Sequence, residues 1–181
     1  MARTRYIAIA AVTLDGRIAA HERHLTDWTS REDKRLLREV LDSADVVLVG
    51  RKTYELARTR LERRGRNCIV LTRSAAGVRR VHERLAFLNP KKENVRAFIR
   101  RHGYRRVVIL GGTETYTYCR DAGMLDELYL TIEPVLFGKG LPLLAGKLFV
   151  QKGRNVEVKK LNKKGSTLVH VRSFAPLGRT V

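Results

Sequence analysis

Short apolar runs return along this chain at intervals, and most lead into a segment whose apolar residues recur every three or four positions. RYIAIAAV (5–12) reads as a strand. In REDKRLLREVLDSA (31–44), Leu36, Leu37, Val40 and Leu41 share one helical face. Thr29 or Ser30 stands where a cap belongs, and Glu32 and Asp33 fall in the first turn, where the helix dipole favours acids. LVGRKTYELA (48–57) carries an apolar strand straight into a helix start, and NCIVLT (67–72) is another buried-type strand. KKENVRAFIRRHG (91–103) is a helix stopped by glycine, and RRVVILGG (105–112) is apolar enough to be central in a sheet. TETYTYCRDAG (113–123) is a short helix and DELYLTIEPVLF (126–137) a long strand. The segment NVEVKKLNKKGSTLVHVRSF (155–174) alternates on both sides of NKKGS, the signature of a β-hairpin. This order predicts one α/β domain over residues 1–181: a mainly parallel central sheet flanked by helices, with an antiparallel C-terminal hairpin.

Composition narrows the class. At 181 residues, 44% hydrophobic and 30% charged, the chain suits a single globular domain with its own core. No apolar run reaches membrane-spanning length, and MARTRYIAIAAVTLDG lacks the cleavage pattern of a signal peptide. Cys68 and Cys119 form neither a framework nor a CxxC pair, so reduced thiols in a cytoplasmic protein are expected. The five scattered histidines have no metal-ligand spacing, and no metal is expected.

Charge changes the picture more. The net +19 is concentrated: residues 51–120 hold nineteen Lys/Arg against five acids, whereas residues 1–50 balance at eight and eight. Such a field invites a polyanion, either nucleic acid or a phosphate-rich cofactor. RTRLERRGR (58–66) and VRRVHER (78–84) contain no aromatic residues, which disfavours nucleic acid, and both read by default as solvated faces.

Three strand ends carry phosphate chemistry. Gly50 is followed by Arg51, Lys52 and Thr53 at a helix start, where unpaired N–H groups already favour an anion. Leu71 leads into Thr72, Arg73 and Ser74, hydroxyls around a guanidinium. Gly111 and Gly112 precede a helix opening with Thr113, Glu114, Thr115 and Tyr116; paired glycines let a ligand approach the backbone. If these strands are neighbours, one extended dinucleotide phosphate could span them.

The ordered set GRKTYE, VLTRS, LGGTETY and LYLT, opened by IAAVTLDGRIA, resembles the dihydrofolate reductase superfamily, including the riboflavin-biosynthesis reductase domain and its stand-alone relatives. The resemblance covers nearly the whole chain. It implies NADPH as cofactor, with Ala11 and Ile18 near the nicotinamide together with Tyr116. It further implies Gly50, Arg51, Lys52 and Thr53 on the phosphates, Leu71, Thr72, Arg73 and Ser74 around the adenosine 2′-phosphate, and Gly111 to Tyr116 along the pyrophosphate. It puts Asp33 in the role of substrate-binding and catalytic acid, five residues after Trp28, with Thr131 as its partner, Leu37 lining the substrate and Arg66 on the glutamate carboxylate of folate.

The implied activity is hydride transfer to the C=N bond of a pteridine, 7,8-dihydrofolate foremost. Two departures keep an alternative open. IEPVLFGKGLPLL (132–144) resembles the riboflavin-type reductases, which would make the substrate a ribosylaminopyrimidine 5′-phosphate and a homodimer possible; yet GRKTYE lacks that branch's acids for the ribose phosphate. A basic nucleic-acid-binding protein on the same scaffold is the distant alternative.

Overall fold

The computed structural model describes residues 3–146 and 150–175. Eleven strands and four helices follow in chain order: β1 (Arg5–Val12), β2 (Arg17–Ala19), α1 (Arg31–Asp42), β3 (Val46–Gly50), α2 (Arg51–Arg63), β4 (Cys68–Leu71), β5 (Val78–His82), β6 (Leu85–Leu88), α3 (Val95–Arg101), β7 (Arg106–Ile109), α4 (Thr113–Asp121), β8 (Glu127–Ile132), β9 (Leu141–Pro142), β10 (Gly153–Lys160) and β11 (Thr167–Phe174). Nine strands form one sheet in the order β10-β11-β8-β1-β7-β3-β4-β6-β5, while β2 and β9 pair apart from it. From β8 to β6 the sheet is parallel; β11 and β10 extend one edge antiparallel, and β5 extends the other.

Alternation within the strands builds two cores. Ala8, Leu48, Val107 and Ile109 face α3 and α4, with Phe98, Ile99 and Cys119. Ile7, Ile9, Val47, Val49 and Val108 face α1 and α2, with Val40, Leu41 and Leu61. These central strands are apolar on both faces because helices cover both. The two cysteines are unpaired and buried on opposite sides of the sheet.

Three elements differ from the sequence reading. The strand begun by DELYLT stops at Ile132 instead of reaching Phe137, as Glu133 and Pro134 turn the chain and proline has no N–H to continue a ladder. The β5–β6 hairpin had no legible signal: all five β5 residues are exposed, and Arg79, Arg80 and His82 mask the pattern of an edge strand. The β2–β9 pair is only three residues against two, too short for periodicity.

Glu133, just beyond β8, ties the site-bearing helix to the sheet. Ser30 caps α1 by accepting from the Asp33 N–H at 3.2 Å, and the Ser30 N–H in turn donates to Glu133 Oε1 at 2.7 Å. The Ser166 hydroxyl donates to Glu133 Oε2 at 2.5 Å from the β10–β11 turn. The residue is 3% exposed, so its partners have no water to turn to. Glu133→Ala is expected to lower unfolding stability by about 2–4 kcal/mol, read as a shift in denaturant midpoint; an unchanged midpoint would show that α1 is held by its packing alone.

Candidate active site

β7, β3 and β4 are consecutive parallel strands, so the three phosphate-type turns named above lie side by side at their carboxyl ends. With strands spaced about 4.8 Å apart, the turns span roughly 10 Å. The turns after β3 and β7 are bonded to each other, Gly50 N–H to Gly111 O at 2.8 Å.

The helices opening from these two turns are unlike the others. Ser30 caps α1 and Asn94 caps α3, each through its side chain. Gly50 and Gly112 stand at the N-caps of α2 and α4 and have no side chain to offer. Two helix N-termini without a side-chain cap, each the positive end of a dipole, thus sit together; α2 adds Arg51 and Lys52 with no acid in its first turn, whereas α4 carries Glu114 in its own. The arrangement favours an anion.

The glycines differ in what fixes them. A Cβ on Gly50 would stand 2.5 Å from Thr115 Oγ1, and one on Gly111, at φ +94°, would stand 2.7 Å from the Tyr116 ring. Both are locked by packing. Gly112 has an extended φ of −81°, and a Cβ there would meet only Thr53 Oγ1 at 3.4 Å and Ile18 Cδ1 at 3.9 Å. That Cβ fits the protein and intrudes on the space in front of it.

The space is a cleft of about 600 Å³ between α1 and α2, with the carboxyl half of β1 as its floor. Ala11, Ile18, Asp33, Leu37, Thr53, Arg66, Gly112 and Tyr116 all line it. Asp33 is 5% exposed. Burial raises its pKa above the usual carboxylate value; the Thr131 and Thr29 hydroxyls draw it back down, and the neighbouring Glu133 adds to the rise. Thr131 Oγ1 faces this carboxylate off hydrogen-bond geometry and remains buried without a strict partner. Tyr116 is held by its hydroxyl, which donates to Ile9 O at 2.5 Å, and burial pushes that hydroxyl's pKa up.

This geometry agrees with what the chain is similar to. Residues 5–135 match the dihydrofolate reductase family. The chain belongs to that family. An uncharacterized Bacillus subtilis protein, YwjB, is 27% identical over 139 residues, covering 74% of this chain and 78% of its own. Two solved structures share the fold at 21% identity. One is a putative riboflavin biosynthesis protein from Shewanella, with TM-score 0.68, covering 96% of this chain and 99% of that one. The other is an Enterococcus faecalis dihydrofolate reductase complexed with NADP(H), with TM-score 0.67, covering 96% and 98%. Membership makes the chain a dihydrofolate reductase-like oxidoreductase and leaves its particular substrate open.

Other residues named from the sequence sit at the margin of the family's cleft or away from it. Arg51 and Lys52 are exposed and paired with Glu55 (2.9 Å) and Glu22. Arg73 is exposed, 3.5 Å from Glu114, while Leu71 and Thr72 are buried and the Thr72 and Ser74 hydroxyls lie 2.9 Å apart. Thr113 donates to Pro142 O at 2.5 Å, pinning β9, and Thr115 is buried. Trp28 does not line the cleft; it packs edge-on against Phe137 at 5.2 Å, with its indole N–H buried and unpartnered. Its five-residue spacing to Asp33 places it at the end of a single 3-10 turn, in sequence between Thr26 and Thr29, which line the cleft. Glu32 turns away and accepts from Asn162 at 3.0 Å.

Sequence reasoning missed several groups. Arg60, Arg63 and Arg64 of RTRLERRGR are solvent-exposed as expected but also line the cleft, together with Lys34 and Arg38 of α1. The signal was there: Arg60 and Arg64 are four and eight residues after Leu56, on the same helical face. Glu133 was passed over because it lay within an apparent strand.

The raised pKa of Asp33 has a consequence for stability. Below the ordinary carboxylate value of 3.8 both folded and unfolded chains are protonated, and the buried acid costs nothing. As pH rises, the unfolded chain ionises first, so stability is lost until the folded pKa is passed. Asp33→Asn is therefore expected to raise the unfolding midpoint at pH 7, with the gain vanishing below about pH 4; a variant less stable than wild type at neutral pH would contradict this.

Proposed function

We propose that this chain is an NADPH-dependent reductase of the C=N bond of a pteridine, converting 7,8-dihydrofolate to tetrahydrofolate. The observation that carries the reading is the pair of uncapped helix N-termini at adjacent strand ends, opening on the same cleft as a buried carboxyl. The bound nicotinamide supplies the hydride. The chain's own work is to bind, to orient and to manage one proton.

In this reading the first-turn N–H groups of α2 and α4, with Thr53, hold the pyrophosphate, and the absent side chain at Gly112 leaves it room. Arg73, with Thr72 and Ser74, takes the adenosine 2′-phosphate, assisted by Arg51 or Lys52. Each of these cations now rests on an exposed carboxylate, Glu114, Glu55 or Glu22. Such exposed pairs are screened by solvent, so a phosphate displaces them at little cost. Ala11, Ile18 and Tyr116 wall the nicotinamide end. Asp33 pairs with the amino-pyrimidine edge of the pterin and favours protonation of the ring, with the Thr131 hydroxyl beside it. Leu37 packs on the substrate, and Arg66 holds a carboxylate remote from the reacting bond.

A second reading, reduction of a ribosylaminopyrimidine 5′-phosphate, has support in the segment IEPVLFGKGLPLL and in the fold shared with the Shewanella protein. Purified protein with NADPH and each substrate in turn separates the two by loss of reduced-cofactor absorbance. Dihydrofolate is expected to be consumed, with NADPH well preferred to NADH. Gly112→Val is expected to fold normally yet weaken NADPH on the order of 100-fold, because the branched side chain enters the phosphate space. Undiminished NADPH binding by that variant, or oxidation only with the pyrimidine phosphate, would overturn the cofactor or the substrate assignment respectively.

A further inference from the structure

We propose that Glu133 is a positioning residue for Asp33: it takes the N–H at the start of α1 that would otherwise bind the Asp33 carboxyl, and so leaves that carboxyl free to meet substrate. The role rests on Asp33 being the substrate-facing acid of the reductase reading. Asp33 is the third residue of α1 and Ser30 its N-cap, and the Ser30 hydroxyl accepts from the Asp33 N–H at 3.2 Å. That is one half of a capping box. In the other half, the acid at the third position reaches back to the N–H of the cap residue. Here the Ser30 N–H donates instead to Glu133 Oε1, at 2.7 Å, from outside the helix.

Two side chains of one extended segment reach the start of α1. Thr131 and Glu133 are two residues apart and so lie on the same side of the chain. The ladder with β1 continues past β8 through the Glu133 N–H, which donates to Val12 O at 2.9 Å, and the Val135 N–H closes on Glu133 O at 2.8 Å. The Glu133 backbone is thus held at both its N–H and its carbonyl. Its second carboxylate oxygen accepts from the buried Ser166 hydroxyl at 2.5 Å.

Three acids surround the start of α1, and the β10–β11 turn binds two of them. Asn162 donates to Glu32 at 3.0 Å and to Ser166 Oγ at 2.9 Å, and Ser166 in turn donates to Glu133. Asp33 is left with the hydroxyls of Thr29 and Thr131 and with the cleft, which it lines. Glu133 opposes its ionisation, and Lys34 of its own helix favours it. Tyr116 of α4 stays protonated, its hydroxyl given to Ile9 O. On the rest of the cleft wall, Glu22 is paired with Lys52, and His24 lies in the loop before α1. Arg60, Arg63 and Arg64 of α2 are exposed on the opposite side, with Arg66 in the loop beyond.

Glu133 acts in two ways that separate on substitution. As an acceptor it satisfies the Ser30 N–H, and as a charge it makes Asp33 harder to ionise. Glu133→Gln keeps the acceptor and removes the charge. Glu133→Met fills the same space and removes both, which leaves Asp33 to answer the Ser30 N–H in the ordinary manner of a capping box. A carboxylate that accepts this N–H is stabilised in its ionised form and drawn away from the cleft.

The test follows the aspartate carboxyl carbons by NMR against pH, with the Asp33 signal assigned by its loss in Asp33→Asn. Glu133→Met is expected to lower the Asp33 titration midpoint by about one pH unit or more. It should also lower kcat/KM for dihydrofolate about tenfold or more, with NADPH affinity unchanged. Glu133→Gln should lower the midpoint less and retain most of kcat/KM. An unshifted midpoint in Glu133→Met, or an equal fall in both variants, would overturn the positioning role; if dihydrofolate is still reduced, the reductase reading stands. Should Glu133→Met not fold, the Ser30 amide resonance decides. It is expected to move in Glu133→Gln and to stay in Asp33→Asn, and the reverse would overturn the role. Midpoints that shift as expected in a protein that oxidises no NADPH with dihydrofolate would uphold the positioning of Asp33 and remove the dihydrofolate reading.

Discussion

Two helix dipoles open from adjacent strand ends, and neither N-terminus is capped by a side chain. The Gly50 N–H to Gly111 O bond and the close fit of Thr115 beneath Gly50 force the starts of α2 and α4 together. Like ends repel, and Arg51 and Lys52 add to the repulsion. In the proposed reading a polyanion completes the arrangement. The parallel order β7-β3-β4 brings the Thr72-Arg73-Ser74 turn into the same line, so the demand for negative charge extends across the carboxyl edge of the sheet.

The other half of the cleft is governed by burial. Asp33 opens α1, whose N-terminus is tied by Ser30 to Glu133 and through it to the β10–β11 turn. That frame holds a carboxyl out of water beside Thr131 and another acid, and so keeps its proton affinity above that of an exposed aspartate. The C-terminal hairpin thus supports the site from a distance without entering the cleft. Charge demand at one side and a buried acid at the other give the cleft two unlike ends around an apolar middle, in keeping with the proposed heterocycle and nicotinamide.

What could be read in advance divides along physical lines. β1, β3, β4 and β7 are buried on both faces, and unbroken apolar runs announced them; glycine and hydroxyl residues at their ends announced the turns. Asp33 was legible because a capped helix start and a familiar spacing coincided. Trp28 shows what spacing leaves open: five residues fix the separation along the chain, while the indole packs edge-on against Phe137, a contact the local sequence does not announce. The edge strand β5 was hidden by its own arginines. Arg60, Arg63 and Arg64 are solvent-exposed, as RTRLERRGR suggested, yet they also edge the cleft, a placement that nothing within α2 declares. Such facts depend on where α1 packs, which local sequence does not specify.

The rate of turnover against pH for Asp33→Asn tests the central claim most directly. If Asp33 supplies the charge that favours a protonated ring, the variant should lose on the order of 10²-fold or more at pH 7, with the gap to wild type narrowing toward pH 5 as solvent protonates the substrate instead. Glu32→Gln, whose side chain binds Asn162 outside the cleft, should track wild type throughout. A loss for Asp33→Asn that is constant across pH, or a crippling effect of Glu32→Gln with Asp33→Asn mild, would contradict the account.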